Sequence, residues 1–191
     1  MLCLAVFLPI IAGLAMLFFP PKTRGYREWA VECVTLFTSF FVLLCLAEPK
    51  ETPTVAFMLM QDMPIAFQID GLGGVFTALV AFLWPLAALY AFEYMEHEGG
   101  EVHFFALYTI TYGVTLAIAT AANIMTMYIF YEFLSLCTLP LVMHGTSRES
   151  VKAGQKYMVY SFFGAAIAFV GVMIIIAFGN GGAFVMNGVL S

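Results

Sequence analysis

Long apolar runs separated by short polar breaks make up almost the whole chain. A helix needs about 20 apolar residues to cross a bilayer, so each run reads as a span. The first covers residues 1–19 and stops at Pro20 and Pro21. The second covers about 29–47, with Trp29 as an interfacial anchor. Residues 54–69 are apolar but contain Gln61, Asp62, Pro64 and Gln68, which suits a short hairpin or re-entrant piece at the membrane surface. The third span is about 72–94, with a kink expected at Pro85, and Asp70 before it has the place of an N-cap. The fourth is 103–121, the fifth runs from Asn123 to about His144, and the sixth is about 151–178. The expected fold class is all-α: one polytopic transmembrane domain over 1–191, with three helices and the hairpin in 1–101 and three helices in 102–191.

Orientation follows from the basic residues. Loops one–two, three–four and five–six carry Lys22, Arg24, Arg27, Arg148 and Lys152, and the opposite side carries Lys50. Five against one predicts that the odd loops are cytoplasmic and both termini outside. The first run has no basic residues ahead of it, so it reads as a spanning helix rather than a signal peptide.

Composition agrees with this class. The chain of 191 residues is 63% hydrophobic and 10% charged, against about 25% charged in a soluble domain. No basic cluster suggests nucleic acid as a partner. Cys3, Cys33, Cys45 and Cys137 lack metal-ligand spacing, and the three histidines, His97, His103 and His144, fall at helix ends. We therefore expect no metal, haem or other cofactor site. No nucleophile triad, phosphate loop or dinucleotide fingerprint is present, so no catalytic site is expected in this chain.

Glu132 changes the picture. It stands inside the fifth run with no other formal charge within fifteen residues on either side. An ionisable group at that depth costs roughly 2.5–3.5 kcal/mol on insertion scales, and its default reading is an ion or proton site. On a helix Tyr128 and Ser135 share its face at i−4 and i+3, and Tyr131 and Thr138 lie to the sides. Pro140 frees a backbone carbonyl nearby. Lys156 lies about a turn and a half inside the sixth span, beside Tyr157, Tyr160 and Ser161, and either snorkels to the interface or faces a polar interior. These residues, with His144 at the end of the fifth span, form the expected lining of a proton path.

Other polar positions read more simply. Glu32 sits one turn into the second span, where it can snorkel. Glu93, Glu96, His97, Glu98, Glu101 and His103 form an acidic turn. Gly164 and Ala168 make a small-residue pair suited to helix packing.

The stretch Tyr131-Glu132-Phe133-Leu134-Ser135-Leu136-Cys137-Thr138-Leu139-Pro140, followed by Lys152-Ala153-Gly154-Gln155-Lys156-Tyr157, resembles the proton-translocating antiporter-like membrane subunits. These are shared by respiratory complex I, multisubunit sodium/proton antiporters and membrane-bound hydrogenases, and the form here is similar to the D-type antiporter subunit. The segment Phe67-Gln68-Ile69-Asp70-Gly71-Leu72 is similar to that family as well. The resemblance implies that Glu132 is the proton-transfer glutamate of the fifth helix and that Lys156 matches a basic residue early in the sixth. It implies a multi-pass subunit in the inner membrane of a prokaryote, within a proton-translocating oxidoreductase or a cation/proton antiporter.

Family members have two inverted repeats, and this sequence covers the leading helices and the first part of the first repeat. The family's seventh-helix lysine, which pairs with the glutamate, has no counterpart here. The resemblance therefore implies half of a split subunit, completed by a partner chain among other membrane subunits, or a truncated or reduced form. The alternative function is a scaffold subunit of a redox or antiporter complex with no ion path of its own.

Overall fold

The computed structural model describes residues 1–48, 52–60, 63–97, 99–143, 148–179 and 182–184. Six helices and one β-hairpin follow in order: α1 Leu2–Phe18, α2 Arg24–Ala47, β1 Thr54–Met60, β2 Met63–Phe67, α3 Gly71–Met95, α4 Glu101–Ala119, α5 Ile124–Val142 and α6 Arg148–Phe178. Among the described residues, five helices, α2 to α6, are long and apolar enough to cross a membrane. α1 is equally apolar in character but has 17 residues, about 25 Å at 1.5 Å per residue. The hairpin departs from an all-α fold, so the architecture is mostly helical.

Local chemistry sets the helix starts. The Asp70 side chain accepts from the Gly73 N–H at 2.5 Å and caps α3, as expected. Asn123 caps α5 by accepting from the Thr126 N–H at 2.7 Å. Gly99 and Gly100 both take positive φ, 75° and 67°, in the turn before α4, a conformation open to glycine at little cost.

Glycine also brings α1 and α4 together. A Cβ on Gly13 would fall 2.6 Å from the Ala106 carbonyl oxygen, and one on Gly113 would fall 2.5 Å from that of Val6. Only bare Cα atoms allow the two backbones this close. The pairs run in opposite chain directions, so α1 and α4 are antiparallel.

The residues expected to form a hairpin or re-entrant piece form an antiparallel β-hairpin, with Thr54 opposite Phe67 and Met60 opposite Met63. Gln61 and Asp62 lie outside the described residues. The hairpin is tied to the turn between α4 and α5. Gln68 N–H donates to the Thr120 carbonyl at 2.7 Å, Ala122 N–H to the Ala66 carbonyl at 2.9 Å, and Asn123 Nδ2 to the Pro64 carbonyl at 2.9 Å. Phe67 is fully buried between the rings of Phe7 and Phe130. These bonds satisfy backbone groups along the β2 edge of this non-helical piece within the protein. The far end of the chain reaches the same turn, where Ile124 N–H donates to the Gly182 carbonyl.

A second polar seam runs between α2, α3 and α4. Pro85, inside α3, has no N–H to offer the Ala81 carbonyl. Ser39 on α2 has one proton to share between that oxygen at 2.7 Å and the Thr35 carbonyl of its own helix at 2.8 Å, and it accepts from the Tyr112 hydroxyl on α4 at 2.8 Å. Trp84 stacks on Tyr112, with centroids 5.2 Å apart.

At the opposite end from the hairpin, arginines tie α2 to α3 and α4. Arg24 bonds Glu28 at 2.5 Å and Glu96 at 2.7 Å, and buried Arg27 pairs with Glu101. The bonded Arg24 guanidinium holds the Glu96 carboxyl below the usual carboxylate range. The expected acidic turn is therefore partly neutralised by its own chain; Glu98 lies outside the described residues.

Candidate proton site between α5 and α6

Glu132 lies at mid-helix in α5, eight residues from its start and ten from its end, about 12 Å and 15 Å along the axis. One carboxyl oxygen, Oε1, is shielded from solvent and has no hydrogen-bond partner. The side chain opens on a notch of about 20 Å³ between α5 and α6, enough for about one water molecule. Ser135, Tyr157 and Ser161 line the notch beside it, among Leu136, Leu139, Met158 and Phe162.

Four hydroxyls around the notch, those of Tyr128, Ser135, Thr138 and Tyr157, have fixed partners. Ser135 donates to the Tyr131 carbonyl at 3.2 Å. Thr138 donates to the Ser135 carbonyl at 3.1 Å, so across the 2.7 Å contact with Thr138 the Tyr157 hydroxyl is the donor. Tyr128 crosses to α6 and donates to the Ala165 carbonyl at 3.3 Å. These bonds join the two helices above and below Glu132 without occupying its carboxyl. Pro140 has no N–H for the Leu136 carbonyl, and Leu136 is itself part of the notch wall.

The remaining expected residues are placed differently. Tyr131 and Tyr160 are exposed, Tyr160 on the outer face of α6. Lys156 is exposed as well and does not line the notch. α6 begins at Arg148, three residues before the expected boundary, which puts Lys156 about 12 Å inside the helix rather than a turn and a half. It precedes Tyr157, so it points about 100° away from the notch. Among the described residues no ion pair joins Lys156 to Glu132. His144 lies outside the described residues.

α6 packs principally on α5, and its buried positions are Gly154, Ala165 and Val172. Gly164 and Ala168, expected to form a packing face, lie instead on the uncovered side. The phase of α6 is set by Tyr157 and Ala165 meeting α5, which small-residue spacing does not reveal. The residues missed in sequence are Leu136 and Ala165, whose contributions are a notch wall and a backbone carbonyl. The proline four residues beyond Leu136 was the available signal for the first; Ala165 carried none.

Comparison with known proteins agrees with this architecture. The family described as NADH:quinone oxidoreductase/Mrp antiporter, transmembrane, matches residues 121–187. The family described as NADH-ubiquinone oxidoreductase (complex I), chain 5 N-terminus, matches residues 57–105. The chain is 27% identical over 162 residues to the chloroplastic NAD(P)H-quinone oxidoreductase subunit 5 of Pentatrichia integra, covering 79% of this chain and 22% of that protein. The Lotus japonicus counterpart is 27% identical over 144 residues, covering 70% of this chain and 19% of its own length. The chain thus spans about a fifth of the curated relatives it matches.

Two solved structures share the fold. One is the membrane-bound sulfane sulfur reductase, an archaeal respiratory membrane complex, with TM-score 0.79 and 18% identity over 93% of this chain and 37% of the matched one. The other is respiratory complex I from Thermus thermophilus with bound NADH, with TM-score 0.74 and 21% identity over 93% and 36%. Residues 57–105 and 121–187 match parts of one kind of protein, and the fold likeness extends over 93% of the chain. In sequence over these two segments, and in fold, the chain is similar to the antiporter-like family of membrane subunits that includes those of complex I.

Proposed function

We propose that this chain is a membrane subunit of a multisubunit ion-translocating complex, and that Glu132 carries protons in it. The observation behind this reading is the unpartnered, shielded Glu132 oxygen opening on a polar notch at mid-helix. A carboxylate retained there for packing would be expected to have a donor on a neighbouring helix. Ser135, Tyr157 and Ser161 supply hydroxyls for a water that delivers or receives the proton. Sodium would need several oxygens converging at once, and the notch holds room for about one water, which favours protons.

Unloading needs a positive charge that comes and goes. A lysine ammonium about 4 Å from Glu132 would interact with it by about 4 kcal/mol at an effective dielectric of about 20. Moving a proton against about 100 mV costs about 2.3 kcal/mol, so approach and withdrawal of one lysine is large enough to drive release. Lys156 faces outward here. It is positioned to meet helices beyond those described, on this polypeptide or another, and such helices would bring their own lysine to the open side of the notch. In this reading α1 spans with the other five helices, Lys- and Arg-rich loops face the cytoplasm, and both ends of the domain lie outside. The archaeal and Thermus thermophilus structures favour a prokaryotic plasma membrane, whereas the named sequence relatives are chloroplast proteins.

The test is Glu132→Gln in the assembled complex, with proton uptake measured in sealed vesicles. Loss of coupled transport with assembly intact is expected. Normal pumping by the variant would overturn the reading and leave the scaffold role.

A further inference from the structure

A second acid in the membrane-spanning helices remains outside that reading. Glu32 lies on α2, eight residues beyond Arg24, about 12 Å along the axis. Its place about one turn inside the Trp29 anchor leaves the interface within reach, yet the side chain lines a groove between α2 and α3. Its Oε2 atom is shielded and has no hydrogen-bond partner. The arginines at this end are taken: Arg24 holds Glu28 and Glu96, and Arg27 holds Glu101.

The nearby hydroxyls are taken too. Thr35 donates to the Glu32 backbone carbonyl. Tyr108 of α4, the titratable group in electrostatic range across the helices, donates to the Trp84 carbonyl at 2.6 Å. From α3, Leu89 and Phe92 face it across a groove of about 270 Å³, with Glu28 and Trp29 on the α2 side. Among the described residues Oε2 has no donor and no cation, and at that oxygen the neutral acid fits better than the ionised one. The groove, with Arg24-bound Glu28 on its wall, provides a way for water to reach the carboxyl.

We propose that Glu32 is a second proton-exchanging acid of this chain, held neutral between α2 and α3 and served by water through the groove at the Arg24 end. In the exchange a hydronium ion passes its proton to the Glu32 carboxylate and leaves as water, and the reverse step returns it. No other group changes its bonding, and Glu132 is not needed for the step.

Infrared difference spectroscopy of the assembled complex in membranes near neutral pH distinguishes the two forms of this group. Spectra of Glu32→Gln and of wild type, each with and without isotope-labelled glutamate, are compared. The expected result is loss of a protonated-carboxyl carbonyl band in Glu32→Gln. That band should persist in Glu132→Gln and move to lower frequency in D₂O within the equilibration time. Loss of a carboxylate band instead would overturn the proposal, because Glu32 would then be ionised and paired with a cation from outside this chain. A protonated band that does not respond to D₂O would overturn it as well, since the acid would be sealed. Wild-type spectra with labelled glutamate report a protonated carboxyl directly should Glu32→Gln fail to assemble; absence of any such band would refute the proposal.

Discussion

Ser39 shows how a single hydroxyl can matter in a membrane bundle. Pro85 removes the N–H that the Ala81 carbonyl would use, and Ser39 supplies a donor from the next helix. No water is available in the hydrocarbon to do the same. Ser39→Ala is expected to destabilise the chain by about 1–3 kcal/mol, the cost of an unsatisfied buried polar group. Thermal unfolding of the detergent-solubilised protein reads this, and a midpoint equal to wild type would mean that the α3 carbonyl finds another donor. Glu132 is the opposite case at the same scale. Its environment is built by fixed hydroxyls that bond one another and leave the acid free. It was legible in sequence because a lone charge in an apolar run has few bland explanations. The outward direction of Lys156 was not, because the rotation of α6 about its axis depends on where Tyr157 and Ala165 meet α5.

At the scale of elements, the helices are held by contacts of two kinds. Glycine-to-backbone packing joins α1 to α4, and ion pairs join the start of α2 to the end of α3 and the start of α4. The second kind is sensitive to acid. Glu96 has its carboxyl held low by bonded Arg24, so its contribution is fully present above the unfolded value of about 4.3. That contribution is lost as pH falls through the lower folded value. Acidification through this window is expected to raise hydrogen exchange at the start of α2 and the end of α3. Glu96→Gln should remove that pH-dependent step, and an unchanged step in the variant would assign it to another carboxyl. The element boundaries themselves were readable to within a few residues. α2 and α6 start earlier than expected because their first turns, rich in Arg, Glu and Lys, continue the helix into the polar interface.

At the scale of the molecule, the described helices are unevenly covered. α4 is enclosed, whereas α6 touches little but α5 and exposes Val159, Phe162, Phe163, Ile167, Val170 and Ile174. In a bilayer that face meets lipid or further helices. If helices beyond those described complete the proton site, they cover α6 on the side of the Glu132 notch. A cysteine introduced at Phe162, on the rim of the notch, should then lose reactivity to a membrane-permeant thiol reagent when the complex assembles. Equal reactivity before and after assembly would argue that the notch faces lipid. The number of apolar runs, the hairpin between them, the Asp70 cap and the lone acid could all be read from the sequence. Each depends on neighbours a few residues away or on the bilayer itself, which acts on every segment alike. The antiparallel seating of α1 on α4, the arginine partners, the rescue of Ala81 by Ser39 and the direction of Lys156 were decided by tertiary structure. Each joins residues on separate helices, and the phase and depth at which two helices meet is a property of the pair that neither sequence segment carries alone.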